Sequence, residues 1–189
     1  MIINKNIKKQ LTLTLIISVG VSIFSCDFDR DENENNLYNN EAINKRVQVN
    51  IEEAKIMSDI AILNETLIAM SDSVKGKSNN YHVKNISNKL KKDNLKIKKS
   101  LNELAEKKLI LLPNKIDENE ILELHENEKA DFSEIYLKKI EALLKNQITQ
   151  LEYLSNITND VDFKVLTVKI LVNLNYNLNQ TQKILKTNY

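Results

Sequence analysis

Few side chains in this sequence are of a type and spacing that could do chemistry. Cys26 is the only cysteine, so no intramolecular disulfide can form. His82 and His125 lie among polar neighbours without an evident acidic partner, so we expect both on the surface. No Glu-x-x-His sequence is present, whereas a di-iron helical bundle takes that motif from two helices. We therefore expect no catalytic residues, no metal and no cofactor.

Three asparagines are the remaining candidate site residues, because each interrupts an apolar helical stripe. Asn94 falls between Leu90 and Ile97, and Asn173 and Asn177 interrupt a later stripe and could be its partners. The favoured interpretation is a buried Asn that fixes the register of the helices, as single polar seam residues do in coiled coils. The alternative is a remnant ligand or a small polar pocket. If Asn94 only sets register, Asn94→Leu should raise thermal stability.

Cys26 stands at the end of a secretory signal. Lys5, Lys8 and Lys9 are followed by the uncharged, mostly apolar stretch 11–24. That stretch is shorter than the roughly 20 residues that a membrane-spanning helix needs. It ends in Ile-Phe-Ser-Cys at 23–26, which resembles the lipobox of bacterial lipoproteins, although Phe24 is bulkier than usual. The pattern predicts a signal peptide over 1–25 and lipid attached to Cys26, the alternative being an incidental cysteine in a signal cut elsewhere.

The segment after Cys26 is acidic and polar, and we expect a disordered tether over 26–46. It is either a simple spacer or a signal similar to those that export some lipoproteins to the cell surface. The predicted location is the bacterial envelope, anchored by lipid to the outer membrane on the periplasmic face or the cell surface. The signal holds three of the 27 basic and none of the 26 acidic residues, which leaves the mature chain slightly acidic. That balance argues against a nucleic-acid partner.

The rest of the chain, 47–187, is predicted to be one all-α domain. Two glycines, one proline and abundant Leu, Lys and Glu favour long helices. Four segments carry apolar residues at helical spacing. They lie at about 47–72, 81–108, 131–155 and 161–186. Four amphipathic stripes that must bury themselves against one another predict a four-helix bundle.

The connections make that prediction more specific. The first and second helices are joined by the short segment 73–80, and the third and fourth by 156–160. Helices two and three are separated by 109–130, which contains Pro113 and a possible short helix at 118–128. Two helical hairpins joined by a long crossover predict a ferritin-like bundle.

The order of several residues resembles a family of uncharacterised bacterial envelope proteins, domain of unknown function 4142. They are Asp93-Asn94, Leu101, Leu104-Ala105, Leu111-Leu112-Pro113, Phe132, Tyr136-Leu137 and Phe163-Lys164. The resemblance covers about 50–187 and implies a ferritin-like fold. Family members often read Asp-His in the second helix and Phe-Asp-x-x-Tyr in the third. Histidines that the resemblance implies fall here on Asn94, Leu144 and Asn177, and Phe132 is followed by Ser133.

The predicted function is a non-catalytic envelope lipoprotein, with a structural or interaction domain held on the membrane through Cys26. The alternative is a metal- or ligand-binding ferritin-like protein with an altered site. A third possibility is a glycan-binding or adhesive surface, suggested by the lysines of helix two, whose default interpretation is a solvated face. They are Lys84, Lys89, Lys91, Lys92, Lys96, Lys98 and Lys99. The partner is therefore an unknown protein or glycan.

Overall fold

The computed structural model describes residues 35–126 and 132–189, and within them the chain is all-helical, as predicted. The five helices have the following bounds: α1 Asn35–Ser73, α2 Tyr81–Lys108, α3 Glu118–Glu126, α4 Phe132–Ile157 and α5 Val161–Asn188. No strand occurs in those two ranges. Residues 1–34, which carry the predicted signal peptide and Cys26, lie outside the described residues.

The helix boundaries follow the sequence prediction except at the start of α1. This helix begins at Asn35, so it includes residues 35–46 that the sequence analysis assigned to the tether. No glycine or proline interrupts that segment, and Ala42, Lys45 and Arg46 favour a helix. The chain divides into the units Met1–Ile43 and Asn44–Tyr189, and the second contains the core and every site described below.

Local signals set the helix ends. The side chain of Asn80 caps α2 by accepting hydrogen bonds from the backbone N–H groups of His82 and Val83. Asp160 caps α5 in the same way. Leu109 ends α2 in the left-handed conformation, with φ 56°. Gly76, at φ 80°, allows the turn between α1 and α2.

The four long helices and α3 contribute to one apolar core. The largest side chains excluded from solvent belong to Tyr136, Met57, Ile60, Leu67, Met70, Leu90, Leu101, Leu124, Leu137, Ile140, Leu144 and Leu151. All of them except Leu124 lie in the four segments that were predicted to be amphipathic helices, because such a helix packs in a fold by burying its apolar face.

Polar contacts between helices show which of them are neighbours. Helix α1 lies beside α2, where Ser87 Oγ donates to the carbonyl of Ser71 at 2.6 Å. It also lies beside α4, where Tyr136 and Ser71 hydroxyls are 3.4 Å apart. Helix α5 contacts α2 through an ion pair between Lys108 and Asp160. The segment before α3 is tied to α1, since the N–H of Asp117 donates to Thr66 Oγ1 at 2.8 Å. No described helix is long and apolar enough to cross a membrane.

Candidate functional site

The asparagines singled out from the sequence do lie at buried or half-buried positions, but in two separate groups. Asn94 and Asn177 are fully excluded from solvent, and Asn173 is half-buried. Asn94 does not meet Asn173 or Asn177 through any hydrogen bond of the described residues; its Nδ2 donates to the carbonyl of Leu90 at 2.8 Å. The suggestion that Asn173 and Asn177 are partners of Asn94 is therefore wrong.

The residue of α2 that contacts Asn177 of α5 is Asp93 and not Asn94. Asp93 Oδ2 accepts from Lys89 Nζ at 2.5 Å and from Asn177 Nδ2 at 3.2 Å. The Lys89 ammonium also donates to Asn177 Oδ1 at 2.9 Å, and Asn177 Nδ2 contacts Asn173 Oδ1 at 3.2 Å. We call these four residues, Lys89, Asp93, Asn173 and Asn177, the α2–α5 polar cluster. Positions 89 and 93 are one turn apart on the face of α2 toward α5, whereas position 94 lies toward α1.

The cluster holds a buried negative charge next to a positive one. Burial raises the pKa of the Asp93 carboxyl, but the hydrogen bonds from Lys89 and Asn177 and the charges of Lys89 and Lys96 outweigh it and leave the pKa below its usual 3.8. The Lys89 ammonium also lies 4.7 Å from the centre of the Tyr176 ring, a cation–π distance. Asp93 is therefore ionised at neutral pH and neutralised by Lys89.

The second group joins α1 to α2. Asn64 Nδ2 donates to the backbone carbonyl of Asn94 at 3.1 Å, and Asn64 is fully buried. The side-chain oxygens of Asn64 and Asn94 have no protein hydrogen-bond partner, and neither does the buried side-chain amide of Gln147 on α4. Unpaired buried polar atoms cost free energy, about 1–3 kcal/mol each. A water or a polar ligand bound to the side-chain oxygen of Asn64 or Asn94 would remove that cost.

A cavity of about 350 Å³ opens beside Asn64, between α1, α2 and the crossover. Its lining consists of Ala61, Asn64, Glu65, Lys98, Leu101, Asn102, Leu112, Pro113 and Asn114. The sequence position of Glu65, two residues after Leu63, suggests a solvated side chain. The structure instead leaves it 16% exposed and 2.5 Å from Lys98 Nζ, because the crossover covers this side of α1.

Most of the seven lysines of α2 form ion pairs with acidic side chains of the same domain. Besides Lys89 and Lys98, Lys91 Nζ lies 2.6 Å from Asp72 Oδ1 and Lys99 Nζ lies 3.8 Å from Glu103 Oε1. Both of these pairs are substantially exposed, so each contributes little to stability. Four of the seven lysines thus have acidic partners within the domain, and Lys84, Lys92 and Lys96 are exposed.

The residues present at the α2–α5 polar cluster do not fit a metal site. A transition metal there would take Asp93 and Asn177 as oxygen ligands, but the Lys89 ammonium already occupies that position between them. The imidazole positions that the resemblance implies hold Asn94, Leu144 and Asn177. No group of three potential His, Cys, Asp or Glu ligands is found in 35–126 and 132–189. His82 and His125 are exposed, and His125 Nδ1 lies 2.6 Å from Lys77 Nζ.

The structure gives the Asn94→Leu prediction a physical reason. Leucine would replace a fully buried amide whose oxygen is unpaired, and the backbone carbonyl that accepts from Asn64 would remain. We expect the free energy of unfolding to rise by about 1 kcal/mol, measured by urea denaturation. Asn175→Leu, an exposed position on α5, is the control and should change stability little. A loss of stability on Asn94→Leu would show that its side chain has a partner in solution.

The family described as Domain of unknown function (DUF4142) matches residues 39–184, which include both groups of buried polar residues. No curated protein and no solved structure matches the chain.

Proposed function

Since this chain belongs to the DUF4142 family, whose description assigns no activity, we propose that it is a lipid-anchored envelope protein whose helical domain is a structural or interaction module rather than an enzyme. Lipid on Cys26 would hold the domain at the outer membrane, on the periplasmic face or the cell surface. An unknown protein or glycan would be its partner.

One observation supports the non-catalytic part of this proposal: the polar groups of the α2–α5 polar cluster are hydrogen-bonded to one another. Lys89 neutralises Asp93, and Asn177 contacts both of them. A general acid or base needs to reach a substrate atom at hydrogen-bond distance. Here the only buried carboxylate of the two helices is instead bonded to a neighbouring lysine and amide, as expected for a connection that fixes α2 against α5.

The fold that we propose for the domain is a four-helix bundle with ferritin-like connections. Contacts between residues 71 and 87 and between 64 and 94 make α2 antiparallel to α1, and contacts of 71 with 136 and of 52 with 153 make α4 antiparallel to α1. Contacts of 93 with 177 and of 108 with 160 make α5 antiparallel to α2. Helices α2 and α4 then run in the same direction, which requires a long crossover between them and matches the ferritin-like arrangement.

The anchor is testable in a bacterium that expresses the full chain. We expect the wild-type protein to incorporate an acyl-chain analogue and to sediment with membranes. Cys26→Ala should lose both, because the thioether-linked lipid has no other attachment site and two or more buried acyl chains give effectively permanent membrane binding. The measurement is gel fluorescence of the labelled acyl chain together with membrane fractionation.

The matched control for the anchor is Asp29→Asn, which leaves the cysteine and the apolar stretch unchanged and should label like the wild type. Equal labelling of Cys26→Ala and the wild type would contradict the lipid assignment. An unlabelled wild-type protein that is nevertheless exported and cleaved would identify an ordinary signal peptide instead.

The unpaired amides near the cavity support a second candidate function, binding of a small polar ligand. Asn64 lines the cavity, whereas Asn94 does not, and the side-chain oxygen of Asn64 lacks a protein donor. A ligand that presents an N–H or O–H group would satisfy that oxygen. Native mass spectrometry of the protein purified from its own membranes tests this candidate. A bound small molecule that is lost on Asn64→Leu would favour it over the purely structural role.

A further inference from the structure

Helix α5 carries an apolar face that is not part of the core. Val161, Val165, Val168, Val172 and Tyr176 are 71%, 63%, 60%, 70% and 52% exposed, respectively. We call these five residues the valine face. The opposite side of the same helix is buried, through residues that include Phe163, Leu166, Ile170, Leu174 and Asn177. The helix is therefore apolar on both sides over its first four turns.

The spacing of the valine face is that of a helix–helix seam. The intervals between successive members are four, three, four and four residues, so the first four valines occupy alternating a and d positions of a heptad pattern. β-branched residues have a lower helix propensity than most residues, so valines on a solvated helix face do not stabilise the helix. An apolar stripe of this regularity on the surface indicates an interface with another helix.

We propose that the valine face is the contact surface of a homodimer, in which α5 of one copy packs antiparallel against α5 of a second copy. When each a position of one copy faces a d position of the other, Val161 lies opposite Val172 of the second copy. Val165 then lies opposite Val168 of the second copy. The two-fold axis passes between positions 166 and 167, so the same contacts occur twice.

The charges beside the valine face select the antiparallel direction. Asp162 and Lys169 flank the seam on one side and Lys164 flanks it on the other. A parallel pair would place Lys164 next to Lys169 of the second copy, twice, and like charges there repel. The antiparallel pair places Asp162 next to Lys169 of the second copy. Asp162 bonds Lys107 and Lys108 within its own chain, and its side chain keeps 39% exposure for a further contact.

The size of the surface fits a weak, reversible dimer. The exposed area of the valine face is roughly 500 Å² per copy, so pairing two copies would bury at most about 1,000 Å², the lower limit for a specific protein interface. Apolar area of this size is also near the largest that a monomer usually leaves exposed. The inference concerns the helical domain alone and does not depend on the lipid anchor.

Cysteine cross-linking of the full chain in membranes tests the register directly. Two differently tagged copies would be co-expressed, one carrying Val165→Cys and the other Val168→Cys, and oxidised. We expect a disulfide-linked species that contains both tags. Two tagged copies that both carry Lys96→Cys, an exposed position on α2, are the control for random collisions and for any reaction of Cys26.

A second variant distinguishes this homodimer interface from the binding of another protein to the valine face. Lys169→Glu in both copies should remove most of the cross-linked dimer, since Asp162 would then face a like charge, while the helical circular dichroism remains that of the wild type. No cross-link above the Lys96→Cys control would overturn the proposal. So would a product of Val165→Cys with an unrelated protein, or a Val165–Val165 product stronger than the mixed one.

Discussion

The Tyr136→Ala variant is expected to unfold with about 4 kcal/mol less free energy than the wild-type protein, because it deletes a large buried side chain and leaves a cavity. Tyr136 is fully excluded from solvent and is the largest such side chain of the core. Its ring stacks on Phe132 with centroids 6.3 Å apart. Its hydroxyl contacts Ser71 of α1 at 3.4 Å, so the same side chain links α4 to α1.

Two further variants separate the parts of this effect. Tyr136→Phe keeps the ring and should cost about 1 kcal/mol, the usual net value of a hydrogen bond. Tyr153→Ala is the matched control, because Tyr153 lies on the same helix, is 45% exposed and bonds Glu52 at the surface. Urea denaturation followed by circular dichroism gives all three values. If Tyr136→Ala costs no more than Tyr153→Ala, the packing of α4 against α1 is not as described.

The second large effect is expected for Lys89→Met, which should lower the free energy of unfolding by about 2 kcal/mol. Methionine keeps an unbranched four-atom apolar side chain and removes the ammonium from Asp93, whose side chain is 9% exposed. Removing one partner of a fully buried pair costs about 3–5 kcal/mol, and the value is smaller here because Lys89 is 38% exposed. The double variant Lys89→Met with Asp93→Leu should recover most of the loss, since it leaves no unpaired carboxylate.

Lys91→Met provides the control for Lys89→Met, since the Lys91–Asp72 pair is exposed and should be worth less than about 1 kcal/mol. The pH dependence gives an independent check. The folded state lowers the pKa of Asp93, so its contribution to stability is present above 3.8 and is lost as the pH falls through the lower folded pKa. The difference in the free energy of unfolding between the wild type and Lys89→Met should therefore become smaller in that acid range. An undiminished difference would show that Lys89 acts through another group.

Most of the secondary structure was predictable because each long helix buries one stripe. Leu90, Leu101, Leu144 and Leu174 all lie in segments that were predicted to be amphipathic helices, and all are buried. The family resemblance was also confirmed. The start of α1 was not predictable, since residues 35–46 follow an acidic polar segment and lack a stop or start signal that would separate helix from tether.

The buried polar groups were only partly predictable. The interruption of the α2 stripe at 93–94 was visible, but which of the two residues faces α5 depends on a helix rotation that the stripe alone does not fix. The spacing of Lys89 and Asp93, one turn apart, was the available signal for their ion pair. The burial of Glu65 was not predictable for a different reason: the crossover residues Leu112 and Pro113, far away in the sequence, line the same cavity.

The central claim is that the α2–α5 polar cluster connects two helices and does not form a reaction centre. Metal analysis of the full-length protein, extracted from its own membranes in detergent, tests it most directly. We expect no stoichiometric iron, manganese or zinc, and no change in the thermal unfolding of wild type or Asp93→Asn when these metals are added. A full equivalent of metal per chain that disappears in Asp93→Asn would contradict the claim.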